Sequence, residues 1–181
     1  YLKMNITSTQ NPLIKKIALL SEKSRERKKQ GLCVVEGARE IRLALQGGYS
    51  LENLLYQPDI FSERQLSELL GYTTQKLTPI AISKEVYEKI SYRSSTEGVI
   101  ALVEVKKHGL DTLVFSTKKP LLLVAEAPEK PGNIGALLRT ADAAHIDAVI
   151  IANPKTDLYN PNIIRSSVGC VFTVPIATGT T

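Results

Sequence analysis

An asparagine and an arginine stand in PGNIGALLRTADAAH, residues 131–145, where a proline and two glycines lead into a run of helix formers. Pro131 followed by that run predicts a helix whose first turn is exposed. Gly132 and Gly135 let the backbone pass close to another molecule, and the first N–H groups of a helix can cradle an anion. Arg139 projects back toward that end, as helical side chains do. A permanently charged fork beside unbonded N–H groups suits a phosphate or a developing oxyanion, and Asn133 is placed to cap the helix or to reach a ligand. The same spacing also fits a surface arginine on an Ala/Leu-rich helix, with the glycines serving a tight strand-to-helix turn.

Other phosphate chemistries find less support. The segment contains neither G-x-G-x-x-G nor G-x-x-x-x-G-K-[ST], and no acidic residue after Glu126 stands where a ribose-binding acid would, so dinucleotide and P-loop sites are not expected. GNIG matches the GXXG of a KH loop, a short pattern that recurs by coincidence. His108 and His145 have no spaced partners of the kind a metal site needs, and no metal is expected. Cys33 and Cys170 lie far apart in apolar stretches, which points to buried thiols rather than a disulfide framework.

A second candidate site is made of charge. The net charge is +5, but residues 1–31 hold eight Lys/Arg against Glu22 and Glu26, a balance of +6, so the rest of the chain carries −1. Such a block is either a solvated helix face or the footprint of a polyanionic partner. On the second reading Lys15, Lys16, Arg25, Arg27, Lys28 and Lys29 contact phosphates. No apolar run approaches the roughly 20 residues that span a bilayer, and the N-terminus lacks a signal-like apolar region, so the cytoplasm is expected.

The elements that must position these residues follow from periodicity. Leu13, Ile17 and Leu20 recur at helical spacing in a basic amphipathic helix from about 12 to 29. LCVVEG reads as a short buried strand delivering Gly37 to a helix, AREIRLALQGG, and LENLLYQ as a strand before the helix SERQLSELLG. PIAIS reads as a connection, KEVYEKIS as a helix and GVIALVEV as an apolar strand from 98 to 105. This alternation predicts a small α/β domain over 1–105, followed by a charged linker over 106–119. A second, parallel-sheet α/β unit is expected from 120. PLLLVAEA (120–127) reads as a strand buried on both faces, then come the helix at 131 and the strand DAVIIAN. A short helix near Asn160-Pro161, a Ser-Ser-Val-Gly turn and a strand over 171–176 complete it.

At PGNIGALLRTADA and IIRSSVGCVFTVPI the chain resembles the SpoU (TrmH-like) family of RNA ribose 2′-O-methyltransferases within the SPOUT superfamily. TSTQNPLIKKIALLSEKSRERKKQGLCVVEGAREIRLAL and STEGVIALVEV resemble the opening and closing parts of that family's substrate-binding domain. The resemblance implies an N-terminal α/β domain with the fold of a ribosomal large-subunit protein that holds structured RNA. It further implies a trefoil-knotted C-terminal domain that binds S-adenosylmethionine, a homodimer, and catalytic roles for Arg139 and Asn133. Ribosomal RNA is the expected substrate ahead of transfer RNA; a non-catalytic RNA-binding protein on the same scaffold is the alternative.

Two local departures from the family pattern are visible. Lys130 stands where the family has an acidic residue, and His145 where it has a glycine after the helix. The family's second and third motifs, which build the methyl-donor pocket, do not occur before Thr181, so the methylase domain is expected to be incomplete here and this chain alone inactive, with its cofactor-binding residues unassigned.

Overall fold

The computed structural model describes residues 4–92 and 97–180. Lys3 of the basic block, residues 95 and 96 of the STEGVIALVEV segment, and Thr181 lie outside the described residues. The chain forms two compact units, Tyr1–Val105 and Lys106–Thr181.

The first unit is a five-stranded mixed sheet flanked by helices. Its elements are β1 (Met4–Ile6), α1 (Pro12–Glu22), α2 (Ser24–Gln30), β2 (Leu32–Glu36), α3 (Ala38–Gln46), β3 (Leu51–Tyr56), α4 (Glu63–Leu70), β4 (Ile80–Ile82), α5 (Lys84–Ile90) and β5 (Val99–Glu104). The strand order is β1-β4-β3-β5-β2, with β5 antiparallel to both its neighbours and the β1, β4 and β3 pairings parallel. Ile17 and Leu20 of α1, two of the three residues expected at helical spacing, are fully buried with Ile14 and join Leu55, Ile100 and Leu102 in one core, while Leu13 is partly buried and packs against it. Each such side chain contributes about 1.5–3 kcal/mol by leaving water.

Two expectations for this unit need correction. The single helix over 12–29 is two helices, because Lys23 takes an extended conformation (φ −108°, ψ 107°) between α1 and α2. The PIAIS segment is not a plain connection: Ile80–Ile82 form β4, which bridges β1 and β3. Three residues are too few for a periodic signal, and β4 exists because its partners are supplied from distant parts of the chain. At the carboxyl end of β2, Glu36 of VVEG accepts hydrogen bonds from the Tyr87 hydroxyl (2.8 Å) and the Tyr92 N–H (2.7 Å). Gly37 follows at φ 102°, a conformation costly for any residue with a Cβ, and turns the chain into α3.

The second unit is a three-stranded parallel sheet in the order β6-β7-β8, made of β6 (Leu122–Glu126), β7 (Ala148–Ala152) and β8 (Ile176–Gly179). Helix α6 (Pro131–Ala143) connects β6 to β7, and α7 (Pro161–Ser166) lies between β7 and β8. Val149 and Ile151 are buried on one face of β7. The register and the alternation of strand side chains place Leu122 and Val124 on the other face. There β6 departs from the expectation of burial on both sides: Val124 is 62% and Leu122 38% exposed.

The strand expected over 171–176 is also displaced. Val168 and Gly169 take positive φ, a 3₁₀ turn spans Cys170–Phe172, and the ladder starts only after Pro175, which has no N–H to donate.

The stretch 106–119, expected as a linker, is held at its start to the second unit. The His108 ring bonds the Ile176 carbonyl through Nδ1 (3.1 Å) and the Tyr159 hydroxyl through Nε2 (2.7 Å), and the Thr178 N–H donates to the His108 carbonyl (2.6 Å). Burial lowers the pKa of His108 from its ordinary value, with a smaller downward push from Lys106 and an opposing upward one from the bond to Ile176. The matching tautomer carries the proton on Nδ1 and accepts from Tyr159 at Nε2.

Candidate functional site

Helix α6 begins where the sequence places it, with Pro131 at its first position and Lys130 as an N-cap that makes no side-chain bond. Asn133 therefore lies inside the first turn and does not cap it. The backbone N–H groups of Asn133 and Ile134 both donate to the Lys130 carbonyl (3.0 and 3.2 Å), so the anion cradle is narrower than the glycine spacing implies and centres on the N–H of Gly132.

The two glycines have different jobs. A Cβ at Gly132 would meet nothing within 4 Å, which leaves that side of the helix open. A Cβ at Gly135 would collide with Ser166 Oγ and lie 2.7 Å from both Ser166 Cβ and the Ser167 backbone nitrogen. Gly135 is thus the point where α6 and α7 press together, not part of the cradle. Ser166 is fixed there by a bond to the Asn162 carbonyl (2.5 Å), while the buried Ser167 hydroxyl donates to the Ile164 carbonyl (3.1 Å) and accepts from the Val171 N–H (3.3 Å).

Ile134, Gly135, Leu138 and Ala141 face inward, which leaves Gly132, Asn133 and Arg139 exposed. Gly132 and Arg139 are seven residues apart, two turns on one stripe, and the arginine leans back along it toward Gly132. Asn133 lies on the same exposed half of the helix, about 120° around the axis at 3.6 residues per turn.

The carboxyl ends of the parallel strands frame this helix start. The Asn153 side-chain amide, just past β7, donates to Glu126 Oε1 (2.8 Å) at the end of β6. Ala127 (φ 46°) and Asn153 (φ 48°) both take left-handed backbone there, tied by Ala127 N–H to the Ala152 carbonyl (2.8 Å) and Asn153 N–H to the Gly179 carbonyl (2.7 Å). Sequence reasoning did not single out Glu126 or Asn153 as a pair; their one visible signal is their position at the ends of two apolar strands, where ligands of parallel sheets bind. His145 takes φ 51° one residue beyond the helix cap, the conformation for which glycine is preferred.

In the first unit, Lys15, Arg25, Lys28 and Lys29 are exposed. Lys16 is half-exposed and pairs with Glu52 (2.7 Å). Arg27 does not belong with them. It is 3% exposed, and its Nη1 donates to the carbonyls of Leu20 (2.7 Å) and Ser21 (3.2 Å) at the end of α1. The break at Lys23 rotates α2 so that this one arginine faces inward.

Fold and site together define a two-unit α/β chain, with a basic elbow on one unit and, on the other, a parallel sheet whose carboxyl edge presents an asparagine and an arginine from the following helix. Residues 11–101 match the MRM3-like substrate binding domain, and residues 120–181 match the SpoU rRNA Methylase family. The chain belongs to the proteins that carry an MRM3-like substrate binding domain, and the segment that follows this domain matches the SpoU rRNA Methylase family.

A relative from Streptomyces viridochromogenes, 23S rRNA (uridine(2479)-2′-O)-methyltransferase, is 31% identical over 159 residues, which are 87% of this chain and 54% of the relative. A solved RNA 2′-O ribose methyltransferase is 38% identical at a TM-score of 0.79, covering 98% of this chain and 66% of that one. The SpoU methyltransferase AviRb from Streptomyces viridochromogenes, solved in complex with AdoMet, is 28% identical at a TM-score of 0.83, covering 95% of this chain and 64% of that one. The chain thus spans between about half and two thirds of the length of these relatives.

Proposed function

We propose that the whole protein transfers a methyl group from S-adenosylmethionine to a ribose 2′-OH of RNA, ribosomal rather than transfer RNA, as a cytoplasmic homodimer. Residues 1–105 hold the RNA and residues from 120 onward belong to the methylase domain. The observation that carries this reading is the exposed placement of Asn133 and Arg139 on α6, at the carboxyl edge of a parallel sheet, in a segment that matches the SpoU rRNA Methylase family. The 2′-O-methyltransferase relative from Streptomyces viridochromogenes and the AdoMet held by a structural neighbour support the same chemistry. No helix among the described residues is long and apolar enough to cross a membrane.

The groups at this edge fit both partners of such a transfer. Glu126, oriented by Asn153, is an acceptor for the hydroxyl or ammonium groups of S-adenosylmethionine, and the Gly132 N–H and Arg139 are donors for phosphate and ribose oxygens of the RNA. When bound, the cofactor supplies an electrophilic methyl on a sulfonium centre. This chain's residues then have to hold the 2′-oxygen in line and stabilise its charge as its proton passes to solvent water. A guanidinium is a poor proton acceptor, so Arg139 acts as a clamp rather than a base: it grips the flanking phosphate and stabilises the 2′-oxygen as it becomes nucleophilic. Asn133, on the same exposed half of the helix, orients the ribose.

On the first unit, Lys15, Lys16, Arg25, Lys28 and Lys29 contact RNA phosphates, which makes affinity fall steeply with salt and carries no sequence information by itself. The test of the catalytic assignment is Arg139→Ala in the full-length protein. Methyl transfer is expected to be lost with RNA affinity changed little, and a fully active variant ends the assignment.

A further inference from the structure

The basic elbow contains one arginine that no phosphate can reach. Arg27 is 3% exposed, and its guanidinium bonds the Leu20 and Ser21 carbonyls, which stand in the last turn of α1 without helical partners ahead of them. A cation at this end of a helix is held by the carbonyls and by the helix dipole together. The contact spans the extended residue Lys23, so it joins the two arms of the elbow.

The rest of α2 points the other way. At 100° per residue Arg25 and Lys29 lie opposite Arg27, with Lys28 on one flank, and all three are exposed. Arg25 and Lys29 are an i, i+4 pair of like charges, an arrangement that weakens an isolated helix. A seven-residue helix without a side-chain N-cap and with a repelling outer face is marginal by itself. Its tie to the rest of the unit through Arg27 offsets that weakness.

We propose that Arg27 is a positioning residue for RNA: by closing the carboxyl end of α1 it locks α2 in place and holds Arg25, Lys28 and Lys29 outward as one phosphate-binding ridge. This rests on the RNA reading of the first unit given above. The lock makes binding depend on the fraction of molecules in which α2 is docked, since apparent affinity falls by that fraction.

The experiment measures binding of a short hairpin RNA across a salt series for the wild-type chain, Arg27→Ala, Arg27→Lys and Lys28→Ala, with hydrogen exchange of the amides of residues 24–30. Arg27→Ala is expected to bind roughly three- to tenfold more weakly with the slope of log affinity against log salt unchanged, because no phosphate contact is lost. Its α2 amides exchange faster. Lys28→Ala is expected to reduce that slope by about 0.7–0.9, one phosphate contact. Arg27→Lys, which keeps a donor for the carbonyls, restores part of the affinity.

A folded Arg27→Ala chain with wild-type affinity overturns the proposal, and so does a slope reduced as much as by Lys28→Ala, which would make Arg27 a direct contact. If Arg27→Ala does not fold, Arg27→Lys decides: its affinity must fall at constant slope. A wild-type chain that binds no RNA removes the RNA reading and this role with it, whereas unchanged exchange over residues 24–30 in Arg27→Ala overturns the lock alone.

Discussion

Gly135→Ala isolates the contact that sets α6 against α7. The added Cβ collides with Ser166 Oγ and comes within 2.7 Å of Ser166 Cβ and the Ser167 backbone nitrogen. The serine hydroxyl can rotate away, but its Cβ and the next backbone nitrogen move only if α7 moves, and α7 is anchored by the buried Ile163 and Ile164. Overpacking of this kind costs about 1–3 kcal/mol. The better helix propensity of alanine returns at most about 1 kcal/mol, and the steric cost is expected to exceed it, for a net loss of about 1–2 kcal/mol. For a unit of this size that lowers the melting temperature by roughly 4–16 °C. Gly132→Ala is the control, since its Cβ meets nothing within 4 Å and its expected effect is within about 0.5 kcal/mol. Thermal melts of the 181-residue chain, with hydrogen exchange over α6 and α7 to locate the effect, make the comparison. A Gly135→Ala chain as stable as Gly132→Ala would refute the reasoning that this glycine is a packing contact.

Three further outcomes are expected. The His108 pKa is lowered in the folded chain, chiefly by burial, so the folded state binds its proton less readily than the unfolded chain. The stability this contributes is complete above the ordinary value of 6.5 and declines as pH falls below it toward the folded value; denaturant midpoints at several pH values check this, and His108→Gln should flatten the dependence. Tyr159→Phe removes the hydroxyl that joins His108 Nε2 (2.7 Å) and the Lys106 N–H (3.0 Å), and is expected to cost about 1–2 kcal/mol in the same melts. His145→Gly relieves the left-handed backbone after α6 (φ 51°) and is expected to stabilise by up to about 1 kcal/mol, read as a rise in melting temperature.

Much of the architecture is readable from residue order because it rests on local signals. Asn160-Pro161 and Pro131 mark helix starts, and the apolar runs at 99–104 and 148–152 are strands because every nearby alternative would expose them. What escapes is non-local. β4 is three residues long and owes its existence to pairing with β1, near the start of the chain, and with β3, on the far side of α4. The exposure of Val124 depends on what covers that face of β6, something an apolar run cannot reveal.

The site divides in the same way. Arg139 lies on the open stripe of α6 that helical spacing expects and Asn133 is exposed in the first turn without capping it, yet the partner of Gly135 lies on a helix some 30 residues later and has no local signature. Arg27 was indistinguishable from its neighbours within a charge run. Only the extended conformation at Lys23, set by tertiary packing, turns it inward onto the end of α1.

The most direct test of the account is methyl transfer by the full-length protein from labelled S-adenosylmethionine to ribosomal RNA, followed by nuclease digestion and identification of the modified nucleoside. The account predicts label on a ribose 2′-oxygen with wild-type protein and none with Arg139→Ala, although both bind the RNA. Label on a base, or equal label with the Arg139→Ala variant, would contradict it.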